Sequence, residues 1–146
     1  MKKLVTIALV MIAGSIAHAQ SSPYYTQDGV AIKGYDPVAY FADHAAVAGA
    51  KPFSYVWQNA TWTFKNDTNM NLFKANPEKY APQFGGYCAY GASQNHKSPT
   101  DPNAFTIVND KLYLNYNPRV KEMWVKDTTG NIAKAESNWV TLKDAK

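Results

Sequence analysis

Apolar and polar residues alternate at two places along the chain, and both patterns predict hairpins. Over 53–57, Phe53, Tyr55 and Trp57 fall on one side of an extended strand. Over 61–64, Trp62 and Phe64 share a side, and Gln58-Asn59-Ala60 supplies the turn between the two strands. The second hairpin has a sharper register. Asn109-Asp110 suits a two-residue turn, which pairs Val108 with Lys111 and Ile107 with Leu112. Phe105, Ile107, Leu112 and Leu114 then form the core face, with Thr106, Val108, Lys111 and Tyr113 on the other.

Helical spacing fills the intervals. Val30 to Ile32 reads as a short strand before the Gly34-Tyr35-Asp36-Pro37 turn. Asp36 is placed to cap a helix with Pro37 in its first position, carrying Val38, Ala39, Tyr40 and Phe41, stopping before Gly49 and holding His44 toward its end. A short helix is expected over Asp67 to Ala75, with Met70 and Phe73 inward, and Asn76-Pro77 ends it or starts a separate turn through Tyr80. Asn117-Pro118 opens another helix with Val120, Met123 and Trp124 inward, and Asp127 to Gly130 breaks it. Ile132, Ala135, Trp139 and Leu142 recur at helical spacing and predict a C-terminal helix laid over the sheet. The expected class is α+β: a small antiparallel sheet from two hairpins, flanked by short helices and a C-terminal helix.

The start of the chain has a different character. Lys2 and Lys3 precede an apolar run from Leu4 to Ile16 and then Ala17-His18-Ala19, the pattern of a cleavable secretory signal over residues 1–19. That run is too short to span a bilayer comfortably, so no integral membrane segment is expected after cleavage. Removing the first 19 of 146 residues leaves 127, enough for one domain. Residues 20–29 read as a loose lead-in, which Tyr24 and Tyr25 could pin to the body, and residues 30–143 as a single domain. The short signal favours a bacterial periplasm.

Charge changes the picture little. Without Lys2 and Lys3 the formal net charge falls from +4 to +2, and Arg119 is the only arginine. No basic block remains to track phosphates, which speaks against nucleic-acid binding.

Candidate chemistry gathers in Phe84 to Pro102, which holds the only cysteine, Cys88, after Gly85-Gly86 and between Tyr87 and Tyr90. One cysteine permits no internal disulfide, leaving a buried thiol, a metal ligand, a reactive thiolate or an intermolecular bridge. Beyond residue 19 the only histidines are His44 and His96. A set of Cys88, His96 and His44 would be a thiolate and imidazole donor group suited to copper or zinc. Met70 and Met123 are further thioether donors, better explained by packing, and Asp101 either orients a histidine or caps the turn before Pro102.

Several ordered motifs resemble the YHS domain family. They are Asp36-Pro37-Val38-Ala39-Tyr40-Phe41, Trp62-Thr63-Phe64, Phe73 through Tyr80, Gly85-Gly86-Tyr87-Cys88-Ala89-Tyr90 and Leu112 through Tyr116. The resemblance runs roughly from Tyr24 to Leu142 and is closest to exported, stand-alone members. It implies a small α+β unit associated with metal handling, notably heavy-metal and copper transport, and found near oxygenase components. In the short metal-binding members three cysteines stand where this chain has Ala39, Lys65 and Asn69. That cluster is therefore not carried over.

Three functions follow as expectations. The first is a non-enzymatic periplasmic protein that buffers or delivers copper or another thiophilic ion, with a metal ion or a periplasmic partner protein as its partner. The second is a structural or ligand-binding module with an aromatic surface including Tyr87, Tyr90, Tyr113 and Tyr116. The third, weaker because no third orienting residue is evident, is a thiol-dependent enzyme with Cys88 as nucleophile and His96 as base.

Overall fold

A computed structural model describes residues 20–146. The signal-peptide expectation for 1–19 lies outside the described residues. The fold is α+β, with two separate sheets. The first joins β1 (Thr26–Gln27), β2 (Val30–Ala31), β3 (Ala50–Trp57) and β4 (Ala60–Phe64) in the order β1-β2-β4-β3, with β2 parallel to β4 and the other pairs antiparallel. The second is the hairpin of β5 (Asp101–Val108) and β6 (Lys111–Asn115).

Both hairpins turn through two residues in left-handed conformation, the geometry that matches strand twist. Asn109 and Asp110 have φ of 50° and 58°, and Val108 pairs with Lys111 and Ile107 with Leu112, the expected register. Gln58 and Asn59 have φ of 51° and 57°. Ala60, expected in that turn, already pairs with Trp57 and is buried.

The helices are α1 (Ala39–Ala42), α2 (Asp67–Ala75), α3 (Pro77–Tyr80), α4 (Ala89–Ser93), α5 (Pro118–Val125) and α6 (Thr128–Leu142). Side-chain caps set the starts of α2 to α6, with Asn76 serving α3 and Cys88 serving α4. Asn66 accepts from Asn69 N at 2.9 Å, Asn117 from Val120 N at 2.8 Å, and Asp127 from Gly130 N at 3.0 Å. The break expected over Asp127 to Gly130 is thus confined to the Asp127 cap, and Gly130 lies inside α6. Met123, expected inward, is 40 % exposed, whereas Trp124 is fully buried.

Helix α1 is shorter than the spacing predicted. His44 adopts φ of 53° immediately after it, which reverses the chain. Residues 47–49 then run back along the turn before α1: Asp36 N donates to Val47 O at 2.8 Å and Gly49 N to Gly34 O at 2.8 Å. Backbone bonds to that turn outweigh the modest helix preference of the alanines at 45, 46 and 48.

Two apolar clusters result. One holds Tyr40, Trp62, Phe64, Phe73, Leu112 and Leu114; the other holds Phe84, Tyr113, Trp124, Ala135 and Leu142 with Trp139 against it. The β5–β6 hairpin lies between them and is covered on both faces. Leu112 and Leu114 point into the first cluster, and Tyr113, expected on the outer face, is 3 % exposed in the second. Helix α6 therefore packs on α4 and the ring of Tyr113.

The segment before residue 30 is tied down. Tyr25 N donates to Gly85 O at 2.7 Å, Ser22 Oγ donates to Gln58 O at 2.7 Å, and the Tyr24 ring packs against Trp57 and Trp62 with centroids 5.3 and 5.1 Å away.

Candidate functional site

Cys88 stands between a 3-10 turn, Gln83–Gly86, and the first residue of α4. The turn carries a run of left-handed residues, Phe84, Gly85 and Gly86, at φ of 52°, 59° and 74°. A side chain at Gly85 would put its Cβ 2.5 Å from Pro23 O, so only glycine fits the approach of the N-terminal segment. Cys88 N donates to Ser98 O at 3.0 Å, which closes the loop carrying His96 back onto the turn.

The thiol is 1 % exposed. Its Sγ accepts from Gly91 N at 3.4 Å, capping α4, and donates to Asn115 Oδ1 at 3.5 Å. Asn115 Oδ1 also accepts from Tyr90 N at 3.0 Å. Cys88 is thus a small buried residue that joins α4 to the end of β6.

His96 is exposed and lies beside α4. Its N donates to Gly91 O at 3.0 Å, and a Cβ on Gly91 would stand 3.4 Å from His96 Nε2, so this glycine makes room for the imidazole. No hydrogen bond links His96 to Cys88 among the described residues. His44 is exposed in the left-handed turn after α1. Asp101 orients neither histidine; its Oδ1 accepts from Asn103 N at 2.9 Å. Among the described residues, no three His, Cys, Asp or Glu side chains are grouped to hold a metal ion. The thiol of Cys88 is closed to solvent and already engaged with Gly91 and Asn115, whereas His96 and His44 are both exposed.

The positions that lack the cysteines of the metal-binding family pattern do come together, around a carboxylate. Asp36 is fully buried. Its Oδ1 accepts from Val38 N at 2.8 Å and Ala39 N at 3.3 Å, and its Oδ2 from Lys65 N at 2.9 Å and Asn69 Nδ2 at 2.7 Å. Ala39, Lys65 and Asn69 each supply one donor. Four N–H groups solvate the charge without a counter-ion, which is how a carboxylate survives burial.

The aromatic surface is also differently composed from the one expected. Tyr113 is in the core, and Tyr116 is 52 % exposed. Instead, a cleft of about 410 Å³ opens between the N-terminal segment, α3, the Gln83–Gly86 turn and α6. Its walls include Tyr24, Phe84 and Trp139, with Gly85 between them and the carboxylates of Glu78 and Glu136 at its edges. An adjoining depression of about 270 Å³ shares Tyr24, Glu78, Gly85 and Trp139 and adds Trp57, Lys143 and Asp144. The rings are braced in pairs: Tyr24 against Trp57 at 5.3 Å, and Phe84 edge-on to Trp139 at 5.8 Å. Burial, and after it the charge of Glu78, push the Tyr24 hydroxyl above its ordinary range. Lys65 and Asp43 form the one ion pair among the described residues, so neither Glu78 nor Glu136 has a basic partner there.

The cleft is not legible in the sequence, because its walls come from positions 24, 78, 84, 136 and 139. The one local signal was Gly85-Gly86, whose left-handed turn sets Phe84 opposite Trp139.

No family model, curated protein or solved structure matches the chain. The likeness to the YHS domain family rests on the quoted motifs alone.

Proposed function

We propose that this chain is an exported, non-enzymatic binding module that takes a small amphipathic molecule between Tyr24, Phe84 and Trp139. The observation that carries this reading is the cleft itself: the half-buried rings of Tyr24 and Trp139, braced by Trp57 and by buried Phe84, with polar groups along the same lining. Its volume falls in the range of small-ligand sites, and its lining is mixed, with more polar than apolar surface. Export to the periplasm is supported by Lys2-Lys3, the apolar run and Ala17-His18-Ala19.

The competing proposal, copper or zinc buffering by Cys88, His96 and His44, rests on the family resemblance and the donor types. The burial of Cys88 and its bonds to Gly91 and Asn115 weigh against it.

Backbone amide shifts of the purified protein distinguish the two. Titration with small aromatic and aliphatic amphiphiles is expected to move Gly85 and the Trp139 indole, while Cu(I) and Zn(II) leave the Cys88 region unchanged. Sub-micromolar metal binding that Cys88→Ser abolishes would reverse the assignment.

A further inference from the structure

Resting on that reading, we infer that the ligand of the cleft is a small organic cation, an alkylammonium carried on an apolar body. The charge pattern is the reason. Glu78 reaches the cleft from α3 and Glu136 from α6, and no lysine, arginine or histidine lines this part of it among the described residues. Neither carboxylate forms an ion pair there. The cleft therefore offers two unpaired carboxylates beside the half-buried rings of Tyr24 and Trp139, with two lysines nearby: Lys97 Nζ lies 5.9 Å from the Trp139 ring centroid, and Lys143 lines the adjoining depression.

The rings decide which kind of cation suits it. A weakly hydrated ammonium gains from the negative faces of tryptophan and tyrosine while its carbon skeleton covers apolar wall. A hard metal ion requires many more oxygen ligands than two carboxylates on separate helices provide. An anion meets Glu78 and Glu136 head-on, and a neutral ligand leaves both carboxylates unused. The molecule as a whole does not steer cations, because the chain beyond residue 19 carries a formal +2. Attraction is local, so affinity falls with added salt.

Three soluble probes sharing one ring separate the outcomes: 2-phenylethylammonium, 2-phenylethanol and phenylacetate. Each is titrated into the purified protein while the Gly85 amide and the Trp139 indole are followed by NMR. The ammonium is expected to bind roughly fivefold more tightly than the alcohol, and phenylacetate most weakly. Glu78→Gln with Glu136→Gln should bring the ammonium down to the affinity of the alcohol and leave the alcohol unchanged. Both glutamates are exposed, so the double variant is expected to fold, and its melting curve verifies this. Equal binding of alcohol and ammonium overturns the cation assignment and leaves the aromatic cleft standing as a ligand site. Ammonium binding that ignores the double substitution, or maps elsewhere, also overturns the assignment. Failure of all three probes to move the cleft overturns the binding-module reading with it.

Discussion

Asn69 donates its side-chain amide to Asp36 Oδ2 at 2.7 Å, joining the first turn of α2 to the turn before α1. Both residues are buried, and the other three donors to Asp36 are backbone N–H groups that a side-chain substitution leaves in place. Asn69→Ala should therefore cost about 1–3 kcal/mol in urea unfolding, the penalty for under-solvating a buried acceptor. Asn69→Asp should cost more at pH 7, because two carboxylates then share one site and the folded state raises the pKa of one of them. A raised pKa makes the folded form bind the proton more readily. The deficit of Asn69→Asp relative to the parent should consequently narrow as pH falls toward about 4, the unfolded carboxylate value. A deficit that is constant with pH would show that residue 69 does not face Asp36.

Cys88 caps α4 with sulfur and is closed to solvent. A disulfide reagent should leave it untouched in native buffer and react fully once urea unfolds the protein. Cys88→Ser keeps an acceptor for Gly91 N, while Cys88→Ala removes it and should be less stable than the serine variant by about 0.5–2 kcal/mol. Rapid modification of the folded protein would contradict the buried position.

Tyr40 donates its hydroxyl to Pro102 O at 2.8 Å, pinning α1 to β5. Burial, followed by the nearby Tyr35, Asp101 and Asp36, pushes its pKa well above the ordinary tyrosine value. The folded state thus holds a proton that the unfolded chain releases above about pH 10. Its contribution is fully present below that pH and is lost as pH rises beyond it. Unfolding free energy should fall with pH in the alkaline range, and Tyr40→Phe should flatten that slope by about one proton while costing about 1 kcal/mol at neutral pH. Tyrosine absorbance during alkaline titration, compared between the two proteins, measures the difference.

What could be read in advance divides along local and non-local lines. The β5–β6 register followed from Asn109-Asp110, because both residues tolerate the left-handed conformation and alternation fixes the rest. The cap at Asn117 is equally local, whereas Asp127, expected only as part of a break, caps α6. Two-sided burial of the hairpin was not legible, since the hydroxyl of Tyr113 suits water as well as a core edge. Asp36 looked like a helix cap, and its second oxygen serves residues 65 and 69, which only tertiary folding brings near. Cys88 stands out in the sequence as the lone thiol, but its neighbours' identity does not reveal that Gly91 and Asn115 occupy the sulfur. The cleft was out of reach for the same reason, as its walls lie far apart in sequence.

Gly85 provides a test that links the turn to the cleft. It has φ of 59°, its carbonyl accepts from Tyr25 N, and an added Cβ would stand 2.5 Å from Pro23 O. Gly29 supplies the control, with φ of 78° and nothing within 4 Å of its Cβ direction. Alanine at either position forces a left-handed alanine, at about 1–2 kcal/mol. Only Gly85→Ala adds a collision with backbone, so it should destabilise by more than Gly29→Ala, and it should loosen residues 22–27 selectively. Hydrogen exchange at the Tyr25 amide should speed up in Gly85→Ala and stay near the parent rate in Gly29→Ala. Because Tyr24 forms one wall of the cleft, ligand-induced shifts at the Trp139 indole should weaken in Gly85→Ala alone. Equal destabilisation by the two substitutions would mean that the N-terminal segment does not rest on Gly85.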